Sequence, residues 1–198
     1  MKLGIYGGTF NPVHNGHLSI ASSAQRQFSL DRIIFMPAHL PPHKAQPKDA
    51  SEWQRYDMAR LAIAGRNHWE CSDLEIRRGG ASFTVDTLKA LRGEHPDAEF
   101  FLIIGSDNLL SFDSWREPEQ VLSMAVILVF ERPGFSLAAR REDPAHRLKL
   151  TLDYRVIKGA AMNISSSGIR RMIHEKKNAS ELVPHGVLSY IQAHGLYQ

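Results

Sequence analysis

Short apolar runs alternate along this chain with longer segments of helical spacing, and that alternation restricts the fold more than any other feature. Residues 3–6 read as a first strand, stopped by Gly7-Gly8. Arg32-Ile33-Ile34-Phe35-Met36 is continuous and β-branched, the mark of a strand covered on both faces. Residues 99–104, closed by Gly105, and the strongly apolar 125–131 read the same way, and 69–76, 154–157 and 161–164 read as weaker strands. Between them, residues 17–28 have helical spacing. Ser51-Glu52-Trp53-Gln54 has the Ser-x-x-Gln form of a capping box and opens a helix to about Ala64. A short helix covers 85–91, and Pro118 stands where a helix can start. Ser165 starts a helix to about residue 177, and Pro184 starts a last one to about Ala193. Residues 37–49, with four prolines, form a loop, while 135–150 are charged and match no pattern. Strand–helix alternation predicts an α/β fold of βαβ units: a mainly parallel sheet, helices on both faces and a small C-terminal helical part. No stretch resembles a linker, so 1–198 reads as one domain.

Composition narrows the function classes. The 43% hydrophobic and 23% charged residues of this 198-residue chain exclude a disordered tail, a collagen-like repeat and a disulfide scaffold. The formal net charge of +3 is too small for a duplex-wrapping face but fits a local pocket for a small anion. A single cysteine, Cys71, has no internal disulfide partner, which points to a reducing compartment. With no signal-peptide stretch and no apolar run of membrane-spanning length, the expectation is a cytoplasmic protein without membrane or nucleic-acid partners. Monomer and dimer stay open.

The chemistry concentrates where the first strand ends, in Gly7-Gly8-Thr9-Phe10-Asn11-Pro12-Val13-His14-Asn15-Gly16-His17. Two glycines let the backbone turn sharply and approach a ligand closely. The helix start behind them offers unpaired N–H groups and partial positive charge, a ready anion site. His14 and His17, three apart, face one side of a helical turn. The segment contains no Cys, Asp or Glu to complete a zinc set, so two imidazole donors suit phosphate oxygens better. Ser165-Ser166-Ser167 opens a second helix, where hydroxyls cap the backbone or donate to phosphate, and the fork of Arg170 follows one turn later.

The first string resembles the signature of the T/HxGH nucleotidyltransferases, which have a Rossmann-like sheet and transfer a nucleotidyl group from a nucleoside triphosphate. Their second signature is matched by Ile164-Ser165-Ser166-Ser167-Gly168-Ile169-Arg170, with Ser167 in place of the commoner Thr. Pro41-Pro42-His43-Lys44, Ser82-Phe83-Thr84, Gly105-Ser106-Asp107, Trp115, Arg132-Pro133-Gly134 and the ending Leu182-Val183-Pro184…Gly195-Leu196-Tyr197 are similar to the bacterial nicotinate mononucleotide adenylyltransferases. The similarity runs from Lys2 to Tyr197.

The resemblance implies ATP, carrying Mg²⁺ on its phosphates, and nicotinate mononucleotide as substrates, with no protein-bound metal. It implies His17 at the α-phosphate and His14 at the β-phosphate, Arg170 and the Ser165–Ser167 turn at the outer ones, and the backbone of Gly7, Gly8, Thr9 and Phe10 around them. Asp107 would meet the ribose, Gly105 would lie in the ATP site, and Arg132 and the backbone around Ile164 would flank adenine. For the mononucleotide, Trp115 would stack on the pyridine ring, backbone N–H groups near Thr84 and Arg116 would receive its carboxylate, and Lys44 would meet its phosphate. Ala38 stands where many relatives have Asn, leaving that contact to a group such as His39, and Phe83 stands where Tyr is frequent. Asp107 reads equally as a helix cap, Trp115 as a core or rim aromatic and Lys44 as a solvated lysine. Two other readings remain: an adenylyltransferase preferring nicotinamide mononucleotide or another phosphorylated acceptor, and a nucleotide sensor without turnover.

Overall fold

A computed structural model describes residues 1–41, 49–131, 153–159 and 162–198. Lys44 and Arg132 lie outside them, as do the charged stretch 135–150 and most of the proline-rich loop. Six strands, β1 (Lys2–Gly8), β2 (Arg32–Pro37), β3 (Trp69–Cys71), β4 (Glu99–Gly105), β5 (Ala125–Phe130) and β6 (Tyr154–Val156), form a sheet of order β3-β2-β1-β4-β5-β6. The β1/β4, β4/β5 and β5/β6 pairs are parallel, with Leu3 opposite Phe100 and Ile127 opposite Tyr154. This is the order of a doubly wound Rossmann-like sheet, in which ligands bind beyond the carboxyl ends of the strands. Gly7 and Gly8 are the carboxyl end of β1.

Two compact units are built from interleaved stretches of chain: Met1–Tyr6, Ile20–Ile33 and Phe83–Ala161 in the first; Gly7–Ser19, Ile34–Ser82 and Met162–Gln198 in the second. The core of the first is the buried run Phe100–Ile104 with Ile127–Val129; helices α5 (Ser106–Leu110) and α6 (Pro118–Met124) pack on these strands, α4 (Thr84–Glu94) packs on α6, and Leu88, Leu109 and Val121 are buried on them. Pro118 occupies the first turn of α6, where its missing N–H costs nothing.

The second unit is centred on α2 (Glu52–Ile63), which buries Met58, Ala59 and Ala62 and packs against α8 (His185–Ala193). The capping box forms as expected. Ser51 Oγ accepts from the Gln54 amide at 3.2 Å, and the Gln54 side chain accepts from the Ser51 amide at 2.9 Å. Tyr190 of α8 donates its hydroxyl to Asp57 of α2 at 3.2 Å. Helix α1 (Asn15–Phe28) starts in this unit and ends in the first; α7 (Ser166–His174) belongs to the second.

Three expectations are corrected. The strand at 69–76 stops at Cys71, because Ser72 Oγ accepts from the Leu74 amide and Asp73 pairs with Arg77 at 2.7 Å, turning the chain into α3 (Leu74–Arg78). Residues 162–164 form no strand; the Ile164 amide bonds back to the Met162 carbonyl in a tight turn. Residues 106–114, to which the sequence pattern assigns no element, hold α5 and one 3₁₀ turn, Phe112–Ser114, whose Phe112 is wholly buried. Among the described residues no helix is long and apolar enough to cross a membrane.

Ser51→Ala removes the acceptor at the α2 cap and should cost about 1 kcal/mol of unfolding free energy. Urea denaturation followed by circular dichroism measures it; an unchanged midpoint would show that the cap does not hold the helix.

Candidate active site

The loop from Gly7 to His17 runs through the second unit, and five of its carbonyl groups accept from protein donors. The Gly8 carbonyl accepts from the Ala38 amide at 2.9 Å, and that of Thr9 from Arg55 Nη1 at 2.8 Å. The Asn11 carbonyl accepts from Arg170 Nη1 at 2.7 Å, and the Pro12 carbonyl from Ser166 Oγ at 2.9 Å. The His14 carbonyl takes the first amides of α1, His17 at 2.9 Å and Leu18 at 3.4 Å. Carbonyl oxygens repel an anion and N–H groups attract it, so a loop whose oxygens are bound within the protein suits phosphate.

His14 and His17 meet as the three-residue spacing predicts: their rings stack with centroids 3.7 Å apart and planes 28° from parallel. His14 is buried and His17 half-buried. The His14 amide donates to His17 Nδ1 at 3.2 Å. An amide only donates, so Nδ1 of His17 is the acceptor, and in the neutral ring the proton sits on Nε2. His17 thus offers an Nε2–H donor in its first helical turn. Phe10 packs edge-on against the His17 ring (centroids 5.1 Å apart, planes at 78°) and holds a positive φ of 49°, a conformation disfavoured for a bulky residue and sustained here by burial. Gly16 lies close to the histidine pair: a Cβ there would stand 3.0 Å from His14 Nδ1, a tight contact, and 3.7 Å from Ile164 Cβ, an ordinary one.

The second motif reaches the first. Ser165 caps α7, its Oγ accepting from the Gly168 amide at 3.1 Å with Ser167 Oγ 3.3 Å away. Ser166 and Arg170 bond directly to the loop, so the starts of α1 and α7 come together although more than 150 residues separate the bonded partners. Arg170 Nε also faces Asp49 at 3.4 Å. The segment after β2 joins the same unit. The His39 amide donates to Ser82 Oγ, its ring Nδ1 meets the Gly80 carbonyl, and its own carbonyl accepts from Arg55 Nη2 at 3.2 Å. Ala38 is buried, and its amide donates to the Gly8 carbonyl.

The remaining candidates lie in the first unit. Gly105 is the N-cap of α5, and Asp107 stands in its first turn. Thr84 opens α4 behind Phe83, which supplies no side-chain cap. Trp115 packs on Phe112 (centroids 4.9 Å apart, planes at 32°). Arg116 lies over the Phe83 ring at 4.9 Å and pairs with Asp86 at 3.3 Å and Glu117 at 3.7 Å.

Three contributors escape sequence reasoning. Arg55, spaced as any solvated helix arginine would be, is only 1% exposed. Asn11 is a hub whose side-chain oxygen accepts from the Tyr197 hydroxyl at 2.6 Å. Burial pushes the Tyr197 phenol well above its ordinary range, which keeps it a donor. Leu182 accepts the Asn15 amide at 2.9 Å, tying the start of α1 to the segment before α8. No local signal marks these contacts, because each partner lies far away in sequence.

A doubly wound sheet with two converging helix starts at an anion-suited loop defines a nucleotidyltransferase-type scaffold. Residues 5–172 match the cytidylyltransferase-like family. The chain is 41% identical over 212 residues to the probable nicotinate-nucleotide adenylyltransferase of Geotalea uraniireducens, with 100% of this chain and 98% of that one covered. Identity to the protein of the same name from Geobacter metallireducens is also 41%, over 214 residues with the same coverage. The nicotinic acid mononucleotide adenylyltransferase of Plasmodium falciparum, solved in complex with NaAD, shares the fold at a TM-score of 0.77 and 20% identity, with 99% of this chain and 97% of that one covered. The chain belongs to the nicotinate-nucleotide adenylyltransferase family.

The ring proton of neutral His17 should appear on Nε2 in long-range ¹H–¹⁵N spectra. A neutral Nδ1–H ring would contradict the contact with the His14 amide.

Proposed function

We propose that this chain transfers the adenylyl group of ATP to nicotinate mononucleotide, giving deamido-NAD and pyrophosphate in NAD biosynthesis. What supports this is the joining of the Gly7–His17 loop to the Ser165–Arg170 turn, in a chain of this family. A phosphate oxygen of the mononucleotide forms a new bond to the α-phosphorus, and the bond from that phosphorus to the bridging oxygen breaks. The leaving pyrophosphate takes the electron pair. A phosphate monoester is already largely dianionic near neutrality, its second pKa being about 6, so attack needs no general base. Catalysis then rests on alignment and on neutralising the charge that builds on the α- and β-phosphates.

His17, through Nε2–H, is assigned to the α-phosphate with His14 beside it, and Arg170 and the Ser165–Ser167 turn to the outer phosphates. Mg²⁺ enters with ATP as part of the substrate. The resemblance assigns Asp107 to the ribose, Arg132 and Ile164 to adenine, Gly105 to the ATP site, and Trp115, Thr84, Arg116, Ala38, His39 and Lys44 to the mononucleotide. The lone cysteine and the absence of a spanning helix among the described residues support a cytoplasmic location.

Ala38 offers no side-chain hydrogen bond, so the choice between acid and amide is tested directly. Pyrophosphate release is followed on mixing the chain with ATP, Mg²⁺ and either nicotinate or nicotinamide mononucleotide. Faster turnover of the nicotinate form is expected; a preference for the amide would overturn the acceptor assignment, and binding without turnover would make the chain a sensor. His17→Ala should lower kcat/KM by on the order of 10²-fold or more with the fold intact, and wild-type activity in that variant would remove His17 from the mechanism.

A further inference from the structure

Arg55 projects from the first turns of α2 into the interior of the second unit, where its side chain is among the largest that are fully buried. Its fork spans two loops: Nη1 donates to the carbonyl of Thr9, just beyond β1, and Nη2 to that of His39, just beyond β2. The Ala38 amide bonds to Gly8 between the same two segments, so the guanidinium closes a second rung of one connection. We infer that Arg55 is a positioning residue for adenylyl transfer, its fork setting the planes of the Thr9–Phe10 and His39–Leu40 peptides. This rests on the reading given under the proposed function.

Three observations carry the inference. In a trans peptide the C=O and the following N–H point in opposite directions, so drawing the Thr9 oxygen inward turns the Phe10 N–H away from Arg55. Phe10 is also the loop residue held at positive φ, a geometry that persists only when its surroundings over-determine it. Second, a buried guanidinium is an expensive way to fill space, and an apolar side chain of similar volume often packs as well or better. Stability alone therefore gives little reason for an arginine here. Burial lowers the Arg55 pKa, with Glu52, Tyr197 and Glu75 opposing the shift. Third, lysine is not equivalent: a point charge on a flexible stem lacks the planar pair of donors that bridges two fixed carbonyls.

Arg55→Lys, which keeps charge, and Arg55→Met, which keeps bulk, test this against Ser51→Ala, which loosens the cap of α2 without touching the fork. Rates are normalised to the folded fraction. Misplacement of reacting groups by an ångström costs up to about 10²-fold, so kcat should fall roughly 10- to 100-fold in both Arg55 variants, with KM for the mononucleotide changing far less. Ser51→Ala should keep its kcat. In Arg55→Lys without substrate, the Phe10 and Leu40 amide resonances should move while those of β4 and β5 stay in place. Full rescue by lysine, wild-type kcat in either folded Arg55 variant, or unmoved Phe10 and Leu40 amides would overturn the inference. Should the wild type turn over neither mononucleotide, the functional reading falls, and the amide shifts alone decide the role of Arg55.

Discussion

The site depends on one constraint: the oxygens of the Gly7–His17 loop must be drawn into the protein before the loop can accept a polyanion. Four demands, at Gly8, Thr9, Asn11 and Pro12, are met by a backbone amide, two arginines and a serine hydroxyl from three separate segments: the stretch after β2, α2 and α7. Each such bond contributes only about 1 kcal/mol net, but a buried carbonyl left without a donor costs more than that. The loop conformation is thus all-or-none with the tertiary structure of its unit. It cannot form from its local sequence alone.

This explains why the ends of the second unit matter to its centre. Tyr197, one residue from the end of the sequence, reaches Asn11, and Leu182 receives the Asn15 amide. These contacts stabilise the start of α1, where the His14–His17 stack sits. Gly16 leaves room for the stack, since a methyl group there would press on the His14 ring. Histidine orientation, helix start and C-terminal docking therefore stand or fall together. Ser166 spends its one hydroxyl donor on the loop, whereas Arg170, with five N–H donors, bonds to the loop through Nη1 and faces Asp49 through Nε.

Much of this was legible in the residues. Apolar runs located the strands, and Ser51-x-x-Gln54 announced a capping box that forms in full. The histidine spacing foretold a shared face, and the two motifs pointed to one another across the chain. What stayed hidden was set by partners distant in sequence. Nothing around Arg55 distinguishes it from a surface arginine, since its burial is created by loops near residues 9 and 39. Helix α5 follows a strand-closing glycine with polar residues that resemble a loop, and only packing of Leu109 reveals it. At residues 72–74 a side-chain turn overrode an apolar texture that continues to Ile76.

The central claim is that both helix starts grip the same triphosphate. A crystal structure of the chain with a non-hydrolysable ATP analogue tests it most directly. Phosphate oxygens are expected about 3 Å from His17 Nε2, with the outer phosphates at the Ser165–Arg170 turn and the carbonyls of Gly8, Thr9, Asn11 and Pro12 still turned away. A triphosphate bound elsewhere, or reached by only one of the two turns, would contradict the account.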